Sequence, residues 1–216
     1  GARSLLNLGA CEEGVLTSIF YGPPDGVQLL IDGETLLRSS LAVIRQASAQ
    51  EGEGETIELR DGQALFAQRP PCLEGVEPAA DPRVLLEQGR TTVLGTRFFL
   101  DQDTDVAEMD GPVELVRAAE GDSEELSASA QALRYELGSN LSTLTGGVRV
   151  VAGDRTTLAD SLELDEQAGL ARLEGEPAVS RQGDDEIAGS TLLYYLDSND
   201  VVVTGGVRGT LEVDLD

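Results

Sequence analysis

One pattern, written three times between Leu126 and Val213 with a fourth copy traceable just upstream, limits what this chain can become more than any other feature. Anchored on Gly111, Gly146, Gly175 and Gly205, the copies follow one another at 35, 29 and 30 residues. Thirteen residues before the anchors stand Phe98, Leu133, Leu162 and Leu192, and eleven before them Leu100, Tyr135, Leu164 and Tyr194. Sixteen before lie the small residues Gly95, Ala130, Ala159 and Gly189, and two before lie Met109, Leu144, Leu173 and Val203. Two places after the anchor Val113, Val148 and Val207 recur, with Pro177 in the third copy. Repeats of twenty to fifty residues are the mark of stacked supersecondary units, none of which buries its apolar face alone.

Within a copy the unit reads as two strands and a turn. Leu133 and Tyr135 alternate with Arg134 and Glu136, Gly138-Ser139-Asn140 intervenes, and Leu144, Gly146, Val148 and Val150 then alternate with Thr143, Thr145, Gly147 and Arg149. A period of two puts one set of side chains on each face of a strand. The turn positions, residues 102–104, 138–140, 166–169 and 198–200, carry residues that favour turn geometry. Each copy is therefore a hairpin with one apolar face, and successive hairpins must stack into an antiparallel array to share a core.

The remaining chain is also written in hairpins. Residues 15–21 predict a strand closed by Gly22-Pro23-Pro24-Asp25-Gly26, and residues 27–31 and 35–44 predict two strands joined at Asp32-Gly33. Residues 50–55 form an acidic, Gly-rich loop. Residues 56–59 and 63–67 predict a second hairpin, turning at Asp61-Gly62. Residues 69–82 hold four of the eight prolines and predict an irregular connection. The period does not decide between helix and strand for residues 84–88, and residues 1–14 have no clear form. The fold class is all-β, with residues 1–90 an N-terminal β segment of the same or a degenerate jelly roll and residues 91–216 the repeat region, most simply one continuous domain. Two architectures fit: a jelly roll running on as an open twisted trough, or a closed sandwich. Equal stacked units add length without closing a ring, which favours the trough.

Composition narrows the function. The chain has 216 residues, 40 Asp and Glu against 15 basic residues, and no histidine. Every base is arginine, so the commonest general base, the commonest zinc ligand and the Schiff-base amine are all missing. A net charge of −25 repels phosphate backbones, and with aromatics at 4% base-stacking platforms are scarce, so nucleic-acid binding is not expected. The acidity reads as a solvated face that keeps an edge-rich β protein soluble. No stretch of about 20 apolar residues is present, so no transmembrane helix is expected. No secretory signal is visible, and an opening at Gly1-Ala2-Arg3 fits a trimmed mature or recombinant form.

Cys11 and Cys72 are ordinary buried thiols in a reducing compartment and an even pair free to bridge in an exported protein. The bridge is the reading we carry forward. It would stabilise by about 4 kcal/mol on the chain-entropy account.

Ala159-Asp160-Ser161-Leu162-Glu163-Leu164-Asp165, followed by Leu173-Glu174-Gly175, resembles the repeat of the OstA-like family of periplasmic lipopolysaccharide-transport proteins, the LptA and LptC type. Ala188-Gly189-Ser190-Thr191-Leu192-Leu193-Tyr194-Tyr195 with Thr204-Gly205-Gly206-Val207 is similar to it again, as are residues 130–150. The resemblance runs from about Thr91 to Val213. It implies an OstA-like β-jelly roll of antiparallel strands, open along one side, whose interior holds the acyl chains of a lipid. It also implies an exported protein of the periplasm or cell envelope that joins other jelly-roll modules, or itself, by edge-strand pairing. Residues 27–31 and 210–215 are the candidate edges.

On this reading the lipid groove is lined by Phe98, Leu100, Met109, Leu133, Tyr135, Leu144, Val148, Leu162, Leu164, Leu173, Leu192, Tyr194, Val203 and Val207. Taken singly, most of these read first as plain core positions, and the lipid reading needs only that the core be splayed at one edge. Arg97, Arg134, Arg149, Arg172 and Arg208 read as solvent-face residues that balance neighbouring carboxylates, with a place at the groove mouth as the alternative. Asp101-Gln102-Asp103-Thr104-Asp105 imitates a calcium loop, but Val106 stands where the sharp turn needs Gly and Pro112 where the bidentate Glu belongs, so it reads as a hairpin tip. Asn140-Leu141-Ser142 fits a glycosylation acceptor, a frequent chance match. No catalytic residue, metal site or cofactor is expected. Two other functions stay open: a structural envelope scaffold assembling through its edges, and a carbohydrate-active enzyme using paired carboxylates.

Overall fold

The computed structural model describes residues 4–12, 15–22, 26–31, 33–47, 54–64, 76–121, 124–198 and 200–210. Cys72 and residues 211–216, which held one cysteine of the expected bridge and most of one expected edge, lie outside them. Among the described residues the chain is all β-strand and turn, and its strands pair antiparallel. The chain divides into two compact units, Gly1–Asp110 and Gly111–Asp216.

The first unit contains β1 (Ser4–Glu12), β2 (Val15–Tyr21), β3 (Val27–Ile31), β4 (Thr35–Ser39), β5 (Leu41–Ala47), β6 (Thr56–Arg60), β7 (Gly62–Ala64), β8 (Val76–Pro78), β9 (Val84–Gln88), β10 (Thr91–Gly95), β11 (Arg97–Asp101) and residues 106–110 of β12 (Val106–Arg117). One ladder runs β1, β2, β5, β6, β11, β12. A second runs β3, β4, β9, β10. Alternation places Leu59, Phe98, Leu100 and Met109 of the first ladder and Leu37, Val84, Leu86 and Val93 of the second in the core. The undecided residues 84–88 are therefore a strand, and the unassigned N-terminal stretch contains another.

Two expectations fail here, both at one corner. The single strand over residues 35–44 is two strands, because the chain leaves the second ladder at Ser39 and enters the first at Leu41. The hairpin at Asp61-Gly62 does not form: β6 pairs with β5 and β11, while β7 pairs with β8. Buried Ser40 explains both, since its Oγ donates to Asp61 Oδ1 at 2.5 Å and accepts from the Gly62 amide at 2.8 Å. The Asp-Gly pair that reads as a hairpin turn instead ties down a change of ladder.

The second unit contains residues 111–117 of β12, then β13 (Leu126–Glu136), β14 (Leu141–Ala152), β15 (Arg155–Asp165), β16 (Leu170–Gln182), β17 (Asp185–Tyr195), β18 (Val201–Thr204) and β19 (Arg208–Thr210). From β13 to β17 each strand pairs with the next, and β18 and β19 both lie along β17. The strands are long, and each ladder slips in register near its middle: between Ser129 and Ala132, Thr145 and Val148, Leu158 and Ser161, and Glu174 and Ala178. Such slips bend a strand. The anchor glycines of the repeat sit at this line of bends. Gly146 has φ 88°, a left-handed value that L side chains rarely adopt. At Gly189 a Cβ would stand 2.6 Å from the Val203 side chain and 2.7 Å from the Thr204 carbonyl oxygen, which explains the small residue sixteen places before the anchor.

Candidate functional site

The positions recurring thirteen before and two before each anchor are cross-strand partners. Leu133 faces Leu144, which faces Leu162, then Leu173, Leu192 and Val203, so one aliphatic row crosses six strands. A second row runs Tyr135, Ser142, Leu164, Ala171, Tyr194, Val201. Both rows lie on the same side of the bend. Beyond it Val148, Val150, Ala128 and Leu126 form the buried face of the other half.

The two halves face one another. The Tyr194 hydroxyl in one meets both Thr157 Oγ1 and Ser180 Oγ in the other, with Ser180 at 3.0 Å, and Thr157 and Ser180 bond each other at 3.0 Å. The interior of this unit is thus enclosed between two halves of the same bent strands. At the ends of the strands, Arg117 Nε donates to Glu166 Oε2 at 3.0 Å. Arg117 is buried at the end of β12, and Glu166 lies in the turn between β15 and β16. Arg117 also borders a cavity of about 30 Å³, lined in addition by Glu124, Leu126, Arg155, Tyr194 and Leu196.

Of the fourteen expected groove residues, Leu133, Tyr135, Leu144, Val148, Leu162, Leu164, Leu173, Leu192 and Tyr194 are buried in this unit, and Phe98, Leu100 and Met109 are buried in the first. Val203 is half-buried on β18, and Val207 stands outside at 58% exposure. Tyr135 is anchored by its hydroxyl, which donates to Asn140 Oδ1 at 2.7 Å. The repeat arginines Arg134 and Arg172 lie half-exposed against Glu136 and Glu174, as expected of solvent-face balance. Sequence reasoning missed Arg117 and the Thr157, Ser180 pair. The signal for Arg117 was present, since Val113, Leu115 and Arg117 fall on one face by alternation and all are buried.

The Asp101 to Asp105 stretch is a hairpin tip: Asp101 Oδ1 accepts from the amides of Asp103 and Thr104, and Asp103 Oδ2 accepts from the Gly54 amide. In the first unit Glu58, only 3% exposed, accepts from Arg97 Nε at 2.6 Å and Arg60 Nε at 2.6 Å, while Arg45 reaches its other oxygen at 3.3 Å. Burial by itself would raise the Glu58 carboxyl. The hydrogen bonds and charges of Arg97 and Arg60 outweigh it and hold the group below its ordinary 4.5. Arg97 is raised in turn: burial pulls it down, and the bonds to Glu58 and Asp110 overcome that. Its guanidinium also lies 5.6 Å from the Phe99 ring centre.

These features make up an OstA-like β-jelly roll, an all-β antiparallel fold built by repetition, in which no pairing among the described residues of the second unit closes the sheet. The family described as LptA/(LptD N-terminal domain) LPS transport protein matches residues 30–170, and the chain belongs to it. Among solved structures, LptH from Pseudomonas aeruginosa, the LptA homologous periplasmic component of the lipopolysaccharide transport device, is similar at 12% identity and a TM-score of 0.43, over 83% of this chain and 95% of that one. No curated protein matches the sequence.

Proposed function

We propose that this protein is a non-catalytic component of the cell envelope that takes the acyl chains of lipopolysaccharide, or of a similar anionic amphiphile, into the aliphatic interior of its bent sheet and passes them along end-to-end modules. Membership of a family of lipopolysaccharide transport proteins supports the cargo class and a periplasmic setting. The observation that carries the reading is the row from Leu133 to Val203, which offers six strands of continuous aliphatic surface between two halves of a sheet that bends without closing. Apolar chains entering such a surface gain about 25 cal/mol for each Å² removed from water. Among the described residues β3 pairs with β4 and β18 with β17, which supports their use as edges for joining further modules.

The full burial of Leu144, Leu162, Leu173 and Leu192 favours a second reading. A closely packed core is what a structural scaffold of the same fold requires. On the carrier reading the enclosed state is the unloaded one, and the halves separate to admit a chain. Mass spectrometry of organic extracts from natively purified protein decides between them. The carrier yields acyl-bearing lipid, either as purified or after incubation with envelope lipids. A protein that yields none under both conditions, yet assembles with rising concentration, is the scaffold.

A further inference from the structure

We propose that Arg117 is the anchor for the phosphate of an anionic amphiphile at the mouth of the second unit, and that Glu166 occupies the position which that phosphate takes on loading. The proposal rests on the carrier reading and names the part of the cargo that reading leaves unaddressed.

Four observations converge on the site. Among the described residues Arg117 is the only buried arginine, in a chain whose acids exceed its bases by 25. A guanidinium taken out of water needs an anion beside it. Its anion here is Glu166, whose side chain is one-third exposed on a four-residue turn and can swing outward without disturbing the ladders. Second, the pair spans the ends of the two halves of the sheet, joining the end of β12 to the tip of the β15–β16 hairpin. Third, the cavity beside it is lined by Arg155 as well as Arg117, two guanidiniums against the one carboxylate of Glu124, and Tyr194 links that space to the hydroxyl cluster inside. Fourth, the Arg117 Nε is already taken by Glu166, so a headgroup reaches it only by displacing that carboxylate.

The chemistry matches a phosphate better than a carboxylate. A phosphate offers three acceptor oxygens to the planar fork of an arginine and is commonly bound by two parallel hydrogen bonds. The overall negative charge does not forbid this, because exposed charges farther than about 8 Å are largely screened at physiological salt. Exchange of one anion for another leaves Arg117 paired at every stage except the swap itself. The acyl chain then enters behind the headgroup, past Leu126 and Tyr194 towards the leucine row.

The test titrates the full chain with three probes: a lysophosphatidic acid, the monoacylglycerol of the same chain, and inorganic phosphate. Wild type is expected to bind the phosphate amphiphile more tightly than the neutral one. Arg117→Gln removes that preference, a loss of about ten- to hundredfold for the phosphate probe, and leaves the neutral probe unchanged. Glu166→Gln, at a partly exposed turn where folding is less at risk, binds the phosphate probe several-fold more tightly than wild type. Preference retained in a folded Arg117→Gln protein, or no gain in Glu166→Gln, overturns the proposal while neutral binding leaves the carrier reading standing. Inorganic phosphate binding as tightly as the phosphate amphiphile overturns the headgroup assignment in favour of free phosphate. Wild type that binds neither amphiphile removes the carrier reading, and this subsite with it.

Discussion

The Tyr194 hydroxyl lies 3.0 Å from Ser180 Oγ, although the residue that Tyr194 faces across the ladder is Ala171, nine residues before Ser180. Nine residues of straight strand would carry Ser180 about 30 Å away. The contact exists because β16 folds back at the slip between Glu174 and Ala178. A single hydrogen bond thus reports the bend that gives the second unit an interior.

That bond is expected to couple the two halves energetically. Tyr194→Phe leaves Thr157 and Ser180 bonded to each other and costs about 0.5–1.5 kcal/mol. A double-mutant cycle of Tyr194→Phe with Ser180→Ala, read by urea unfolding, should show a coupling of about 0.5 kcal/mol or more. Additive single effects would mean that the halves are not held together at this point.

Leu162 stands in the middle of the aliphatic row, fully buried between Leu144 and Leu173. Leu162→Ala is expected to cost about 2–5 kcal/mol, from lost burial and the cavity left behind. Val207→Ala, at an exposed site, should change stability by less than about 0.5 kcal/mol. Equal midpoints of denaturant unfolding for the two variants would contradict the placement of the core.

Gly146 carries the bend of β14 at a φ of 88°. Gly146→Val forces a branched side chain into that conformation and is expected to cost about 1–3 kcal/mol. The same substitution tests the bend as a device, since straightening β14 would also expose the interior to a hydrophobic dye. A variant with the melting temperature and dye response of wild type would show that the glycine is dispensable.

Glu58 sets a direction for acid stability. Its folded carboxyl titrates below its ordinary 4.5, so near pH 4 the unfolded chain binds more protons than the folded one. Stability from this group is complete above about 4.5 and is lost as the pH falls through the lowered folded value. Glu58→Gln is expected to cost about 1–3 kcal/mol at neutral pH, where it leaves Arg97 and Arg60 without their shared charge, and to flatten the acid limb of the stability curve. Parallel acid limbs for wild type and variant, followed by urea midpoints between pH 7 and pH 3, would place the acid sensitivity elsewhere.

Strand alternation and the leucine row were legible because they are local. Side chains two apart share a face of a strand wherever the strand goes, and a repeat of near-constant length brings equivalent positions opposite one another. Leu133, Leu144, Leu162, Leu173 and Leu192 could therefore be grouped before any pairing was known. Val207 was misplaced: like buried Val148 it follows two glycines of positive φ, but it lies between β18 and β19 in no strand, so the repeat position has no ladder to turn it inward.

What the chain sequence determined by itself is thus the β class, the hairpin unit, the small residues at each bend and the inward positions that lie within strands. The tertiary structure decided the rest. Ser40 turned an Asp-Gly hairpin signal into a change of ladder, and a line of register slips folded long strands over themselves. It also brought Arg117 to Glu166 and Tyr194 to Thr157 and Ser180, across 49, 37 and 14 residues. Periodicity records which face a side chain takes, but a bend changes what that face meets, and the partner at that distance is chosen only by the packed chain.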